Sequence, residues 1–154
     1  LADSMPAHKF VLVGPQDENF KNSDLHNKGN VTFVPAQPVD ALPSFLAHFD
    51  VAINPQILNP VTIGNYPRKI DEYLAMGKPV VALRTEAMKM FEHVTYLAES
   101  YPGYKAAILK ALDENSPQKT AERIACAEEH TWENSVAALK TALANTAKKE
   151  LQYA

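Results

Sequence analysis

One cysteine, Cys126, stands among 154 residues, so a disulfide framework within the chain is excluded. It sits among helix formers, AERIACAEEH, and reads as a small helix residue, not a nucleophile. An excess of charge of one sign is also lacking, with 15 Lys and Arg against 18 Asp and Glu. A formal net charge of -3 gives no basic face for nucleic acid, and the Lys148–Lys149 pair reads as a solvated helix end. No apolar run approaches the roughly 20 residues that a membrane helix needs, and no basic-then-apolar signal segment opens the chain. Glycine is missing where phosphate loops require it: VLVGPQ has one, in neither a GxGxxG nor a GxxxxGK pattern. No G-x-S-x-G nucleophile elbow occurs. The histidines His8, His26, His48, His93 and His130 form no metal-ligand spacing with one another or with Cys126, so no metal site is predicted.

What is present is ordinary in amount and ordered in pattern. Apolar residues make up 46% and charged residues 21%, which suits one globular domain with a real core. Four short apolar runs read as strands: Phe10 to Gly14, Val31 to Val34, Asp50 to Asn54 and Pro79 to Leu83, with a weaker fifth from Val94 to Ala98. They are apolar at nearly every position, as strands covered on both faces of a parallel sheet are. Helical patterns lie between and after them, over Val39 to Phe49, Pro67 to Met76 and Tyr104 to Asn115. Pro43 suits a first turn, so the first of these should begin near Leu42. Alternation of strand and helix predicts an α/β fold. From 117 onward the pattern is helix only, broken near His130 and Thr131, with Thr131 expected to cap the last helix.

The stretch NYPRKIDEYLAMGKPVV, residues 65–81, places two cations at the opening of a helix. There they oppose the positive end of the helix dipole. Pro67 suits the first helical position and drives Tyr66 towards extended backbone. Ile70 and Leu74, with Tyr73, fall on one face, Gly77 is placed as a left-handed terminator, and Pro79 prevents continuation. The N–H groups of Arg68, Lys69 and Ile70 are expected to lack helical partners and point outward. Such an end is a ready anion site, and ligands of open α/β sheets collect where helices follow strands. Glu72, one turn in, can accept hydrogen bonds from two neighbouring hydroxyls, as on a ribose. Phosphate at the helix start and sugar hydroxyls one turn along is a nucleotide's layout. The local alternative is that Arg68 and Lys69 simply pair with Glu72 on a solvated surface, for about 0.2–0.5 kcal/mol. Residue types alone do not choose between the two. Gly14-Pro15, directly after a strand, is either a plain turn or a place where a ligand approaches the backbone. Asp17, Glu18 and Asp24 read as a solvated polar loop.

The ordered blocks FVLVGP, NVTFVPAQPVDALPSFLAHFDVAINP and NYPRKIDEYLAMGKPVVA resemble the C-terminal half of GT-B glycosyltransferases, the bacterial group 1 retaining family. Glu72, Tyr73, Ala75, Gly77, Pro79 and Val80 stand at that family's motif positions. TWENSVAAL resembles its final helix, which in two-domain members crosses back towards the N-terminal domain. The resemblance implies a Rossmann-like three-layer α/β domain with a parallel sheet over residues 1–154, helical from 117 to 150. It implies that Glu72 binds the ribose of a nucleotide-sugar donor and that Tyr66, Pro67, Arg68 and Lys69 face the diphosphate. Gly14, Pro15, Val34, Pro35, Ala36, Asn54, Pro55 and Asn65 would flank the base and the sugar. The nucleoside-diphosphate sugar is then a substrate, with no metal and no cofactor implied, and the acceptor a surface polysaccharide or glycolipid. Many members carry a second glutamate eight positions before the ribose-binding one; here that position is Gly64.

The chain starts at Leu1, and LADSMPAHK reads as the tail of a helix and a loop. A fragment is therefore expected, lacking the family's first strand and the N-terminal acceptor-binding domain. Such a donor-binding half is not expected to transfer sugar alone. The resemblance further implies a cytoplasmic enzyme, with peripheral association at the inner face of the membrane left open. A sugar-nucleotide epimerase of the same fold and a non-catalytic phosphate- or nucleotide-binding module are the alternatives.

Overall fold

All five apolar runs form strands, and pairing within each sheet is parallel. The computed structural model describes residues 1–60, 62 and 66–152, with side chains through residue 145. The α/β class is the one predicted, with the strands in two sheets. The chain divides into two units, Leu1–His48 and Phe49–Ala154.

In the first unit, β1 (Phe10–Val13) pairs with β2 (Val31–Val34), Phe10 opposite Val31. The polar loop between them is more structured than its composition suggests. Asp17 caps a one-turn helix, α1 (Glu18–Lys21), its Oδ1 accepting the Phe20 N–H at 2.7 Å. Glu18 pairs with Lys21 at 2.6 Å. Phe20 then meets Phe33 edge-on at 5.7 Å, and His26 stacks on Phe33 at 4.0 Å. Val11 is 38% exposed, and Thr32, its partner in register, is exposed as well. The expectation of cover on both faces therefore fails for this pair. Its crossover contributes only a single helical turn and a 3-10 turn, Asp24–Asn27, too little to roof both sides. The Asn30 amide donates to the carbonyls of Ala2, Met5 and His8, which pins the opening residues. The unit ends in α2 (Leu42–Ala47), with Pro43 in its first turn as predicted.

In the second unit the strand order is β3 (Ala52–Asn54), β4 (Val80–Leu83), β5 (Tyr96–Ala98). Helix α3 (Arg68–Ala75) joins β3 to β4, and a 3-10 segment, Ala87–Phe91, joins β4 to β5. Three helices follow: α4 (Tyr101–Asp113), α5 (Pro117–Glu129) and α6 (Trp132–Gln152). Helix α4 starts before Tyr104, where the sequence pattern begins, because Ser100 Oγ accepts the Gly103 N–H at 3.2 Å and Pro102 fits the first turn. Thr131 Oγ1 caps α6 through the Asn134 N–H at 3.2 Å.

Successive strand residues face opposite sides. Val80 and Ala82 therefore join Ile70 and Leu74 of α3, Met88, Phe91 and Cys126 of α5 in one buried cluster. Val81, also fully buried, faces the other side, where α4 packs on β4 and β5. Tyr104 of α4 is buried there and donates its hydroxyl to the Val81 carbonyl at 2.8 Å. Burial pushes the Cys126 thiol above its ordinary pKa, in keeping with a core residue. Along α6, by contrast, Trp132, Val136, Leu139 and Leu143 are exposed. Among the described residues no helix is long and apolar enough to cross a membrane.

Candidate functional site

Helix α3 carries the residues predicted for the site on one face and its core residues on the other. Ile70 and Leu74 are fully buried, while Arg68, Lys69 and Glu72 are exposed. No ion pair or hydrogen bond joins Glu72 to Arg68 or Lys69 among the described residues, so local pairing of those cations has no contact behind it. Tyr73 is half-buried, and its hydroxyl is pushed above the ordinary phenol range by burial and then by the Glu72 charge.

The start of the helix differs from the sequence expectation in two respects. Pro67 is the N-cap and Arg68 the first helical residue, one position later than predicted. Of the three N–H groups expected to be free, two are used by adjacent backbone. Arg68 donates to the Tyr66 carbonyl at 3.0 Å and Ile70 to the Pro67 carbonyl at 2.8 Å. Pro67, with ψ at 71°, turns the chain tightly enough for these short-range bonds to form. The Lys69 N–H is the one of the three left without a partner among the described residues. This end thus presents one amide and two exposed cations, fewer free N–H groups than the sequence predicts.

Its far end closes as the sequence predicts. Gly77 has φ +65°, its N–H bonds the Leu74 carbonyl at 2.8 Å, and the Lys78 N–H bonds Tyr73 at 3.0 Å. The Gly77 carbonyl accepts from Arg123 of α5 at 3.1 Å, and the same Nη1 donates to Asn115 Oδ1 at 2.9 Å. Arg123 is only 2% exposed. No carboxylate lies in ion-pair range of it among the described residues.

A cluster that the sequence did not single out sits beside the helix start. The Tyr66 hydroxyl donates to Asp71 Oδ2 at 2.6 Å, and His130 Nδ1 lies 2.9 Å from Asp71 Oδ1. The Phe91 ring packs against both aromatic partners, 6.1 Å from Tyr66 and edge-on at 5.1 Å to His130. Burial, followed by the Asp71 hydrogen bond, drives the Tyr66 hydroxyl far above its ordinary pKa, so it stays a donor. An acid in the first turn of α3 also suits the helix dipole.

The remaining predicted residues divide between the units. In the first, Gly14 donates to the Val34 carbonyl at 3.1 Å, which gathers Gly14, Pro15, Val34, Pro35 and Ala36 at the carboxyl end of β1 and β2. Gly14 has φ +150°, and a Cβ there would meet nothing within 4 Å, so the backbone borders open space. In the second unit, Asn54 and Pro55 leave the carboxyl end of β3, the edge at which a following crossover helix begins. Tyr66, Pro67, Arg68 and Lys69 lie at that helix start. Asn65 and Gly64 fall outside the described residues. No group of three or more His, Cys, Asp or Glu side chains is gathered as a metal would require, among the described residues.

A family model described as Glycosyl transferases group 1 matches residues 1–125. The chain belongs to this family. Over 124 residues it is also 31% identical to a Bacillus subtilis (strain 168) protein named, provisionally, as the teichuronic acid biosynthesis glycosyltransferase TuaH. That similarity covers 76% of this chain and 31% of the relative, so the chain spans about a third of the relative's length. The group 1 match takes in both sheets, α3 and every predicted site residue, and it ends within α5. His130 and α6, with the TWENSV segment, lie beyond it.

Proposed function

We propose that this chain is the donor-binding part of a glycosyltransferase that moves a sugar from a nucleoside diphosphate to a surface polysaccharide or glycolipid. Membership of the group 1 family supports the reaction class, and the relative's name, with its teichuronic acid, supports a polymer of the cell surface. The observation that carries the reading is the set of Arg68, Lys69 and Glu72 on one face of α3, exposed and unpaired among the described residues. Two cations facing a helix start are unfavourable until an anion arrives. A diphosphate there would bind Lys69 N–H and both side chains, while the Glu72 carboxylate one turn along takes the ribose hydroxyls. As the glycosidic bond breaks, negative charge grows on the departing diphosphate, and the same groups stabilise it. In this reading the cations do the work a metal ion does elsewhere, and retention at the sugar carbon is adopted with the family. The acceptor is held by a domain outside this chain, in an enzyme working in the cytoplasm or at the inner membrane face.

Calorimetry of the full-length protein with UDP and with GDP tests this. Glu72→Ala is expected to weaken binding of the preferred nucleotide by roughly 10- to 100-fold, the loss of one hydrogen bond to a charged group or more. Unchanged affinity removes Glu72 from the site.

A further inference from the structure

Helices α1, α4, α5 and α6 are fixed at their start by a side-chain cap, and α3 is not. Its N-cap is Pro67, which offers no side-chain oxygen. What holds the chain there instead is the Tyr66 hydroxyl, reaching one turn inward to Asp71 Oδ2 at 2.6 Å. Asp71 cannot turn away to solvent while its other oxygen is engaged. That oxygen is held at 2.9 Å by Nδ1 of His130, from the junction of α5 and α6, 59 residues away. Asp71 and His130 are themselves largely covered, at 23% and 22% side-chain exposure. The Phe91 ring touches both ends of the chain of contacts, against Tyr66 and against His130. Tyr66 is also the residue whose carbonyl takes the Arg68 N–H at 3.0 Å. A displaced Tyr66 therefore moves the first cation and, through Pro67, the free Lys69 amide.

We propose that Tyr66, Asp71 and His130 form a positioning relay that sets the mouth of α3 for the diphosphate of the donor, with His130 its anchor. All three are positioning residues, acting through the placement of Arg68 and Lys69. The proposal rests on the donor site proposed above, and it adds Asp71 and His130, which that site does not include, His130 lying outside the family-matched segment.

The test uses the full-length protein, with UDP and GDP as probes by calorimetry and Tm recorded for each variant. Tyr66→Phe removes one partly exposed hydroxyl and leaves the ring on Phe91. It is expected to weaken nucleotide binding about three- to tenfold, the effect of one hydrogen bond. His130→Ala should match it, and His130→Asn, which keeps an N–H donor near the Nδ1 position, should restore most of the affinity. The double variant Tyr66→Phe/His130→Ala should bind no more weakly than the worse single variant, because both break the same relay. Additive losses would overturn the relay as a unit. If Glu72→Ala weakens binding while Tyr66→Phe and His130→Ala leave it unchanged, the relay is overturned and the donor site stands. If Glu72→Ala is also without effect, both fall.

Discussion

Gly77 combines a backbone constraint with a steric one. Its φ of +65° is a conformation that costs other residues about 1–2 kcal/mol. A Cβ built on it would also stand 2.5 Å from Cγ2 of Thr120 on α5. Gly77→Ala is therefore expected to lower stability by about 2 kcal/mol or more, read as a shift in denaturation midpoint. Adding Thr120→Ser removes the obstructing methyl and keeps the hydroxyl that donates to the Ser116 carbonyl. The double variant should regain the steric part of the loss and none of the backbone part. Equal stability of the two variants would show that no clash operates. This residue was legible in the sequence because helix termination is local: an apolar face, then glycine, then proline after one intervening residue. Asp71 was not legible, since its partner His130 is distant in the chain and an acid in a first turn is commonplace. The free amides were overcounted for the opposite reason, a local turn at Tyr66 and Pro67 that residue types do not announce.

Between elements, the α4–α5 corner is tied by charge. Glu114, the C-cap of α4, accepts from Lys119 in the first turns of α5 at 2.6 Å, with the Tyr96 hydroxyl 3.4 Å from the same oxygen. The Lys119 hydrogen bond is the main reason that the Glu114 carboxyl titrates below its usual 4.5. A carboxyl depressed in the folded state adds stability that is present above the unfolded value and disappears as pH falls through the folded one. Thermal unfolding of Glu114→Gln should accordingly show a lower Tm than wild type near neutrality, with the gap closing as pH drops below 4.5. A gap independent of pH would assign the effect to packing. The order of elements was readable because the apolar runs and helical patterns alternate. The early start of α4 was missed because Pro102 reads as a loop proline until Ser100 is seen capping it.

At the scale of the molecule, burial is uneven. The buried apolar residues of Leu1–His48 are Ala2 and Met5, whereas Phe49–Ala154 holds Ile70, Leu74, Val80, Val81, Ala82 and Phe91 among others. Amide protection follows buried contacts. Hydrogen exchange should be slowest in β4 and the buried turns of α3, and faster by roughly two orders of magnitude in β1, β2 and α6. Uniform protection would contradict this distribution. The sequence partly hid the difference, since FVLV is as apolar as VVAL and VTFV differs only by Thr32, whereas β4 is central between β3 and β5 and is packed by α3 and α4.

Arg123 carries a consequence of its own. A guanidinium keeps its proton at any pH a protein survives, so the cation locked under the tail of α3 has no neutral form to retreat to. Its answer is carbonyl dipoles, which serve only while they stay aimed at it. Prying α5 from α3 would take the Gly77 carbonyl away from a permanent, almost wholly buried cation. The two helices therefore separate only at the cost of that bond.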